Sequence, residues 1–186
     1  MGGTFNPVHM GHLVMAEAVM HSVEADGMIF IPARLHPFKP DNHVNNYDQR
    51  REMVRAALSS NHRFVLEDSP PDLQYTIDLI DYLQGKYTAV ELLLIIGSDL
   101  VEEFESWHKY EEIVDRIKIV IAARPGYSFN TAGNDVLKGA ERIMIPQYDV
   151  SSCDIRERVR SRMSIKYMVP AEVEKIIYQE GLYVKG

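Results

Sequence analysis

The chain has 186 residues, 46% hydrophobic and 25% charged, enough for one domain with a full core and typical of folded soluble proteins. Its net charge of −7 argues against broad binding to nucleic acid or an anionic membrane, which needs a basic surface, yet a small phosphorylated ligand needs only a few cations. The longest apolar run, near 92–96, is far too short to span a bilayer, no secretory leader pattern is present, and the single cysteine, Cys153, gives neither a disulfide framework nor a multi-cysteine zinc site, so the expected location is cytoplasmic.

The chain begins on a turn, MGGTFNPVHMGHL, and a helical pattern follows over 10–23, with Leu13, Ala16, Val19, Met20 and Val23 on one face. Strands are expected at 27–33, 62–68, 91–99, 117–125 and 142–149. Most carry continuous Ile, Val and Leu rather than alternation, as strands covered on both faces do. Helical patterns lie between and after them, at 47–60, 75–87, 107–117, 151–159 and 170–182. The last has Pro170 at its start and Gly181 at its stop. This alternation predicts a doubly wound parallel α/β sheet with helices on both faces. The segment 36–46 follows a strand end and reads as a substrate loop.

Ligands of such sheets sit beyond the carboxyl ends of the strands. Gly2 and Gly3 let backbone approach a phosphate, and the helix that follows offers amides and a positive dipole end. His9 and His12 form an H-x-G-H pattern, three residues apart on one helical face, with Gly11 leaving room between them for a ligand. Imidazoles there can donate hydrogen bonds to phosphate oxygens that gain charge in phosphoryl transfer. A zinc site fits less well, because no H-E-x-x-H or cysteine pair completes the ligand set. Far along the chain, DVSSCDIRERV repeats the theme. Ser151 and Asp154 have the S-x-x-D form of a helix cap, Ser152 stands at the helix start, and Arg156 lies one turn in. The rest of the basic run 156–162 reads as a solvated helix face. Together the two motifs suggest two helix N-termini converging on one polyphosphate.

These two segments resemble the signatures of the H/T-x-G-H nucleotidyltransferase superfamily, and over nearly its whole length the chain resembles the bacterial nicotinate mononucleotide adenylyltransferases. That resemblance implies a Rossmann-like fold in one domain over 1–186, with the helical part from about 151 carrying the second phosphate motif. It implies transfer of AMP from ATP to nicotinate mononucleotide in NAD biosynthesis, with pyrophosphate released and Mg2+ required. His9, His12 and Arg156 would be catalytic. Gly2, Gly3, Thr4, Phe5, Ser151, Ser152 and Arg156 would bind ATP, with Mg2+ held mainly by its phosphates. On the mononucleotide side, Lys39, Thr76, Gly97, Asp99, Trp107 and Arg124 match the family's pattern, as do Tyr75, Asp78 and the helix-opening Arg50. From the residues alone, Trp107 is either core packing or a stacking platform, Lys39 a surface lysine or a phosphate ligand, Thr76 an early-helix polar residue, and Arg124 a strand-end ion pair.

The sequence departs from the family at Phe38, Gln74, Ser98, His108 and Cys153, mostly on the mononucleotide side. Those departures keep other acceptors open, namely nicotinamide mononucleotide or phosphopantetheine, and a non-catalytic nucleotide sensor of the same fold is the third alternative. Neither nucleic acid nor membrane is an expected partner, and nothing in the pattern specifies an oligomeric state. One feature is unusual. The family has a short apolar strand before Gly-Gly, and only Met1 precedes it here. The expectation is a first strand that is truncated, with the natural start a few residues earlier, or a sheet with a weakened centre.

Overall fold

Every expected strand and helix forms, mostly trimmed by a residue or more at its ends. The computed structural model describes residues 1–34, 46–73, 75–123, 135–146 and 148–184. In chain order these give β1 (Gly2–Gly3), α1 (Met10–Ser22), β2 (Met28–Pro32), α2 (Tyr47–Leu58), β3 (Phe64–Leu66), α3 (Thr76–Lys86), β4 (Leu93–Gly97), α4 (Tyr110–Arg116), β5 (Lys118–Ala123), β6 (Glu141–Met144), α5 (Ser152–Arg160) and α6 (Ala171–Gln179). No helix among the described residues is long and apolar enough to cross a membrane.

The chain divides into two compact units. One comprises Gly2–Asp68 with Tyr148–Gly186, the other Met1 with Ser69–Gln147. In the first, β1, β2 and β3 form a parallel sheet in that order. The first strand is two residues long: Gly2 and Gly3 pair with Ile31 and Pro32, and the Ala33 amide donates to the Gly3 carbonyl at 2.8 Å. Helix α2 packs on β2, β3 and α6, burying Met53, Val54, Ala57 and Leu58. Val8, Ala16, Met20, Phe30, Ile155 and Ile177 are buried in the same unit.

In the second unit β4, β5 and β6 form another parallel sheet in that order. The apolar run of β5 is buried from Ile119 to Ala123, as expected of a strand covered on both faces. Ile77 and Ile80 of α3, Ile113 of α4, Phe104, Ile121 and Leu137 fill the core beside it.

Three helices of the first unit end alike. After α1, α5 and α6 the chain turns through the left-handed region, at Glu24, Arg162 and Gly181, with φ of 53°, 56° and 60°. In each, the next amide reaches back to close the turn: Ala25 to Met20, Met163 to Arg158 and Leu182 to Ile177, at 2.8–2.9 Å. This is the Schellman arrangement, whose left-handed residue is best supplied by glycine. Only α6 has one there. Glu24→Gly and Arg162→Gly are each expected to stabilise the fold by about 1 kcal/mol, raising the thermal midpoint by about 2–4 °C for a chain of this size. Thermal unfolding by circular dichroism checks this.

Candidate active site

The turn between β1 and α1 is built from the inside out. Phe5 is 2% exposed and takes a left-handed backbone, φ 48°, so that its ring folds back over Gly3 and packs on Phe30. A side chain on Gly3 would press on that ring, which makes glycine the fitting residue there. At Gly2 a side chain would meet nothing, so backbone is left open to a ligand. The Phe5 side chain belongs to the core, so what this residue can offer a nucleotide is its backbone.

His9 is the N-cap of α1 and is 2% exposed. Its ring stacks on that of His12 with centroids 3.7 Å apart, and Phe5 meets the His12 ring edge-on at 5.0 Å. The His9 amide donates to Nδ1 of His12 at 3.2 Å. A nitrogen that accepts an N–H carries no proton of its own, so the neutral His12 ring bears its hydrogen on Nε2. The main chain thus sets His12 as a hydrogen-bond donor. The absence of a side chain at Gly11 also accommodates the His9 ring, which lies 3.0 Å from where a Cβ would stand.

The second motif folds onto this turn. Ser152 Oγ donates to the Pro7 carbonyl at 2.8 Å, and Arg156 Nη1 donates to the Asn6 carbonyl at 2.8 Å. These links join residues 145 and 150 positions apart, so the two expected helix N-termini do meet. Ser151 caps α5, accepting from the Asp154 amide at 3.0 Å and donating to the Asp154 carboxylate at 2.6 Å. Both serine hydroxyls therefore hold protein, and what the start of α5 offers an anion is its backbone amides. Arg156 retains more. Its Nε is buried and makes no hydrogen bond among the described residues, a charged donor facing no acceptor.

Arg50, which matches the family's pattern, and Tyr183, which the sequence does not mark, complete the scaffold. Arg50, 1% exposed, donates from Nη1 to the Thr4 carbonyl at 2.7 Å. Burial lowers its guanidinium from the ordinary value, and the nearby Tyr183 and Tyr47 partly offset this. Its sequence signal was available: Arg50 precedes Met53 and Val54 by three and four residues, on the buried face of α2. Tyr183 donates to the Asn6 side-chain oxygen at 2.9 Å.

Of the residues expected on the mononucleotide side, Thr76, Gly97, Asp99 and Trp107 lie in the other unit. Gly97 ends β4, and Ser98 and Asp99 open the helical turn after it. A side chain at Gly97 would run into the Asp99 carboxylate, so glycine lets that exposed carboxylate lie against the strand end. Ser98 Oγ is buried and makes no hydrogen bond among the described residues. Thr76 is the first residue of α3, after Tyr75, whose half-exposed ring stacks on His108 at 4.2 Å. Trp107 packs in the core and keeps one part of its surface open. It packs on buried Phe104 at 5.2 Å, yet it stays partly exposed. Lys39, Phe38, Gln74 and Arg124 lie outside the described residues.

The comparisons with known proteins agree with this geometry. The cytidylyltransferase-like family model matches residues 1–158. The nicotinate-nucleotide adenylyltransferase of Bacillus subtilis is 33% identical over 185 residues, covering 98% of this chain and 95% of that one. Among solved structures, nicotinic acid mononucleotide adenylyltransferase of Plasmodium falciparum complexed with NaAD superposes with a TM-score of 0.82 at 18% identity, covering 98% of this chain and 94% of that chain. The same enzyme complexed with APC gives a TM-score of 0.80 over the same shares. That likeness carries the Rossmann-like fold. By family model and relative together, the chain belongs to the cytidylyltransferase-like nucleotidyltransferases, in the family of the nicotinate-nucleotide adenylyltransferases.

Proposed function

We propose that this chain, as one nucleotidyltransferase domain, transfers the adenylyl group of ATP to nicotinate mononucleotide, forming nicotinate adenine dinucleotide and pyrophosphate in NAD biosynthesis. The observation that carries this reading is the meeting of the His9–His12 turn with Ser152 and Arg156 of α5. A phosphate oxygen of the mononucleotide attacks the α-phosphorus of ATP, and the bond from that phosphorus to the bridging β-oxygen breaks. The protein supplies no nucleophile, so its part is positioning and charge stabilisation. His12 donates from Nε2 to an α-phosphate oxygen, and buried His9 orients His12 through its amide and its ring. Arg156 and the amides of Ser151 and Ser152 hold the β- and γ-phosphates as charge builds on the leaving pyrophosphate. Gly2, Gly3, Thr4 and Phe5 present backbone to the nucleotide.

Mg2+ enters as part of the ATP co-substrate. The groups around the turn are imidazoles, a guanidinium and amides, and no set of three or more His, Cys, Asp or Glu among the described residues could hold a metal ion. This donor set suits a cation carried by phosphate oxygens. For the acceptor we assign Asp99 to the ribose hydroxyls and Trp107 to the pyridine ring, and from the family's pattern Thr76, Gly97, Lys39 and Arg124 to mononucleotide binding. A single cysteine fits a reducing compartment, and we assign the reaction to the cytoplasm.

Pyrophosphate release from ATP and Mg2+, assayed side by side with nicotinate mononucleotide, nicotinamide mononucleotide and phosphopantetheine, tests this reading. Turnover is expected to be fastest with nicotinate mononucleotide. Faster turnover with another acceptor would reassign the substrate, and ATP binding without turnover on any of them would make the chain a nucleotide sensor. Trp107→Ala is expected to raise KM for the mononucleotide about 10–100-fold while changing KM for ATP less than about twofold, since one aromatic stack is worth about 1–3 kcal/mol. An unchanged mononucleotide KM would return Trp107 to packing alone.

A further inference from the structure

We propose that Tyr183, near the end of the described chain, is a positioning residue for phosphoryl transfer: its hydroxyl holds the Asn6 side chain while Arg156 holds the Asn6 carbonyl, so turn and arginine are set as one body. The proposal rests on the reading of Arg156 as the arginine of the leaving pyrophosphate. Asn6 is 4% exposed and stands where the two links meet, Tyr183 Oη to Asn6 Oδ1 at 2.9 Å and Arg156 Nη1 to Asn6 O at 2.8 Å. Tyr183 lies 177 residues from Asn6, and Arg156 lies 150 from it, so three remote parts of the chain close on one residue.

The local backbone supports a directed role. Tyr183 adopts φ 64°, a left-handed conformation that a residue with a side chain rarely takes. It comes two residues after Gly181, whose φ of 60° ends α6, and buried Leu182 sits between them. The chain thus makes two left-handed turns in three residues, and the second brings the phenol to Asn6 and to Met53 of α2, 4.0 Å from its sulfur. Burial pushes the Tyr183 phenol up, and the facing cations Arg156 and Arg50 offset this only in part. The phenol therefore stays protonated and is the donor in its bond to Asn6. With Nη1 anchored on Asn6, one end of the Arg156 guanidinium is held against the turn, which restricts the directions of its other N–H groups. Loss of the Tyr183 bond removes one hold on Asn6, the residue on whose carbonyl Arg156 is anchored.

Tyr183→Phe in the full chain removes the bond and keeps the ring. Assayed with ATP, nicotinate mononucleotide and Mg2+, kcat is expected to fall about tenfold, with KM for ATP within about twofold, the size of one oriented hydrogen bond lost. Asn6→Ala cuts the same bond from its other end and should lose at least as much. In an Arg156→Ala background, Tyr183→Phe should change kcat less than about twofold, because the route runs through Arg156. A full tenfold loss in that background, or a lowered unfolding temperature with unchanged kcat, overturns the proposal. The Arg156 Nε–H resonance in 15N spectra, identified by its absence in Arg156→Lys, gives a readout independent of turnover. It should shift in Tyr183→Phe, and an unmoved resonance also overturns the clamp. No turnover by the unaltered chain with any acceptor would instead defeat the functional reading, with that resonance still reporting on the clamp.

Discussion

His12→Ala is expected to lower kcat by about 10²–10³ while leaving the affinity for ATP within about threefold, the pattern of a donor that acts on charge developing in the transition state. The reason lies in how the ring is held. The His9 amide occupies Nδ1, so the proton is on Nε2, and the stacked His9 ring and edge-on Phe5 limit rotation. Such a donor reaches its orientation before the substrate arrives and reorganises little during reaction. His12→Gln keeps an N–H near the Nε2 position but gives the His9 amide no comparable acceptor. It should recover about a tenth of the lost rate, far less than full activity. Single-turnover pyrophosphate release, with ATP affinity from calorimetry, checks both variants. Equal losses in affinity and rate would mark His12 as a plain ground-state contact.

What could be read from the sequence follows from the range over which each signal acts. Strand β5 was legible because Ile119 to Ala123 are buried together, and continuous apolar character is a local consequence of that burial. The cap of α5 was legible because Ser151 and Asp154 bond to each other three residues apart. The convergence of the two phosphate motifs was also foreseen, from two helix starts with matching chemistry. The detail of that convergence was not. Nothing near Ser152 says that its hydroxyl is committed to Pro7, and Gly11 reads equally well as room for a ligand or for His9. Arg50 sits in a run of polar residues, and its role depends on the Thr4 carbonyl 46 positions away. Tyr183 was hidden for the same reason at greater separation. A tyrosine after a helix-ending glycine has no local mark of a buried hydrogen bond.

Arg156→Lys is expected to lower kcat/KM about 100-fold although it conserves the charge. Arginine at this site has two tasks that need two differently directed N–H groups. Nη1 is bonded to the Asn6 carbonyl, and under the proposed function the other N–H groups of the partly exposed guanidinium are directed to the phosphates. A lysine ammonium is a point donor on a flexible stem. If it bonds to Asn6, it leaves the phosphates, and if it reaches the phosphates, it releases the turn. Either outcome costs about 2–3 kcal/mol, the range for hydrogen bonds to charged groups. The loss should appear in kcat as well as in KM for ATP, because the leaving pyrophosphate gains charge in the transition state. Wild-type kcat/KM in Arg156→Lys would show that charge alone suffices, and that the fork anchored on Asn6 has no part in the chemistry.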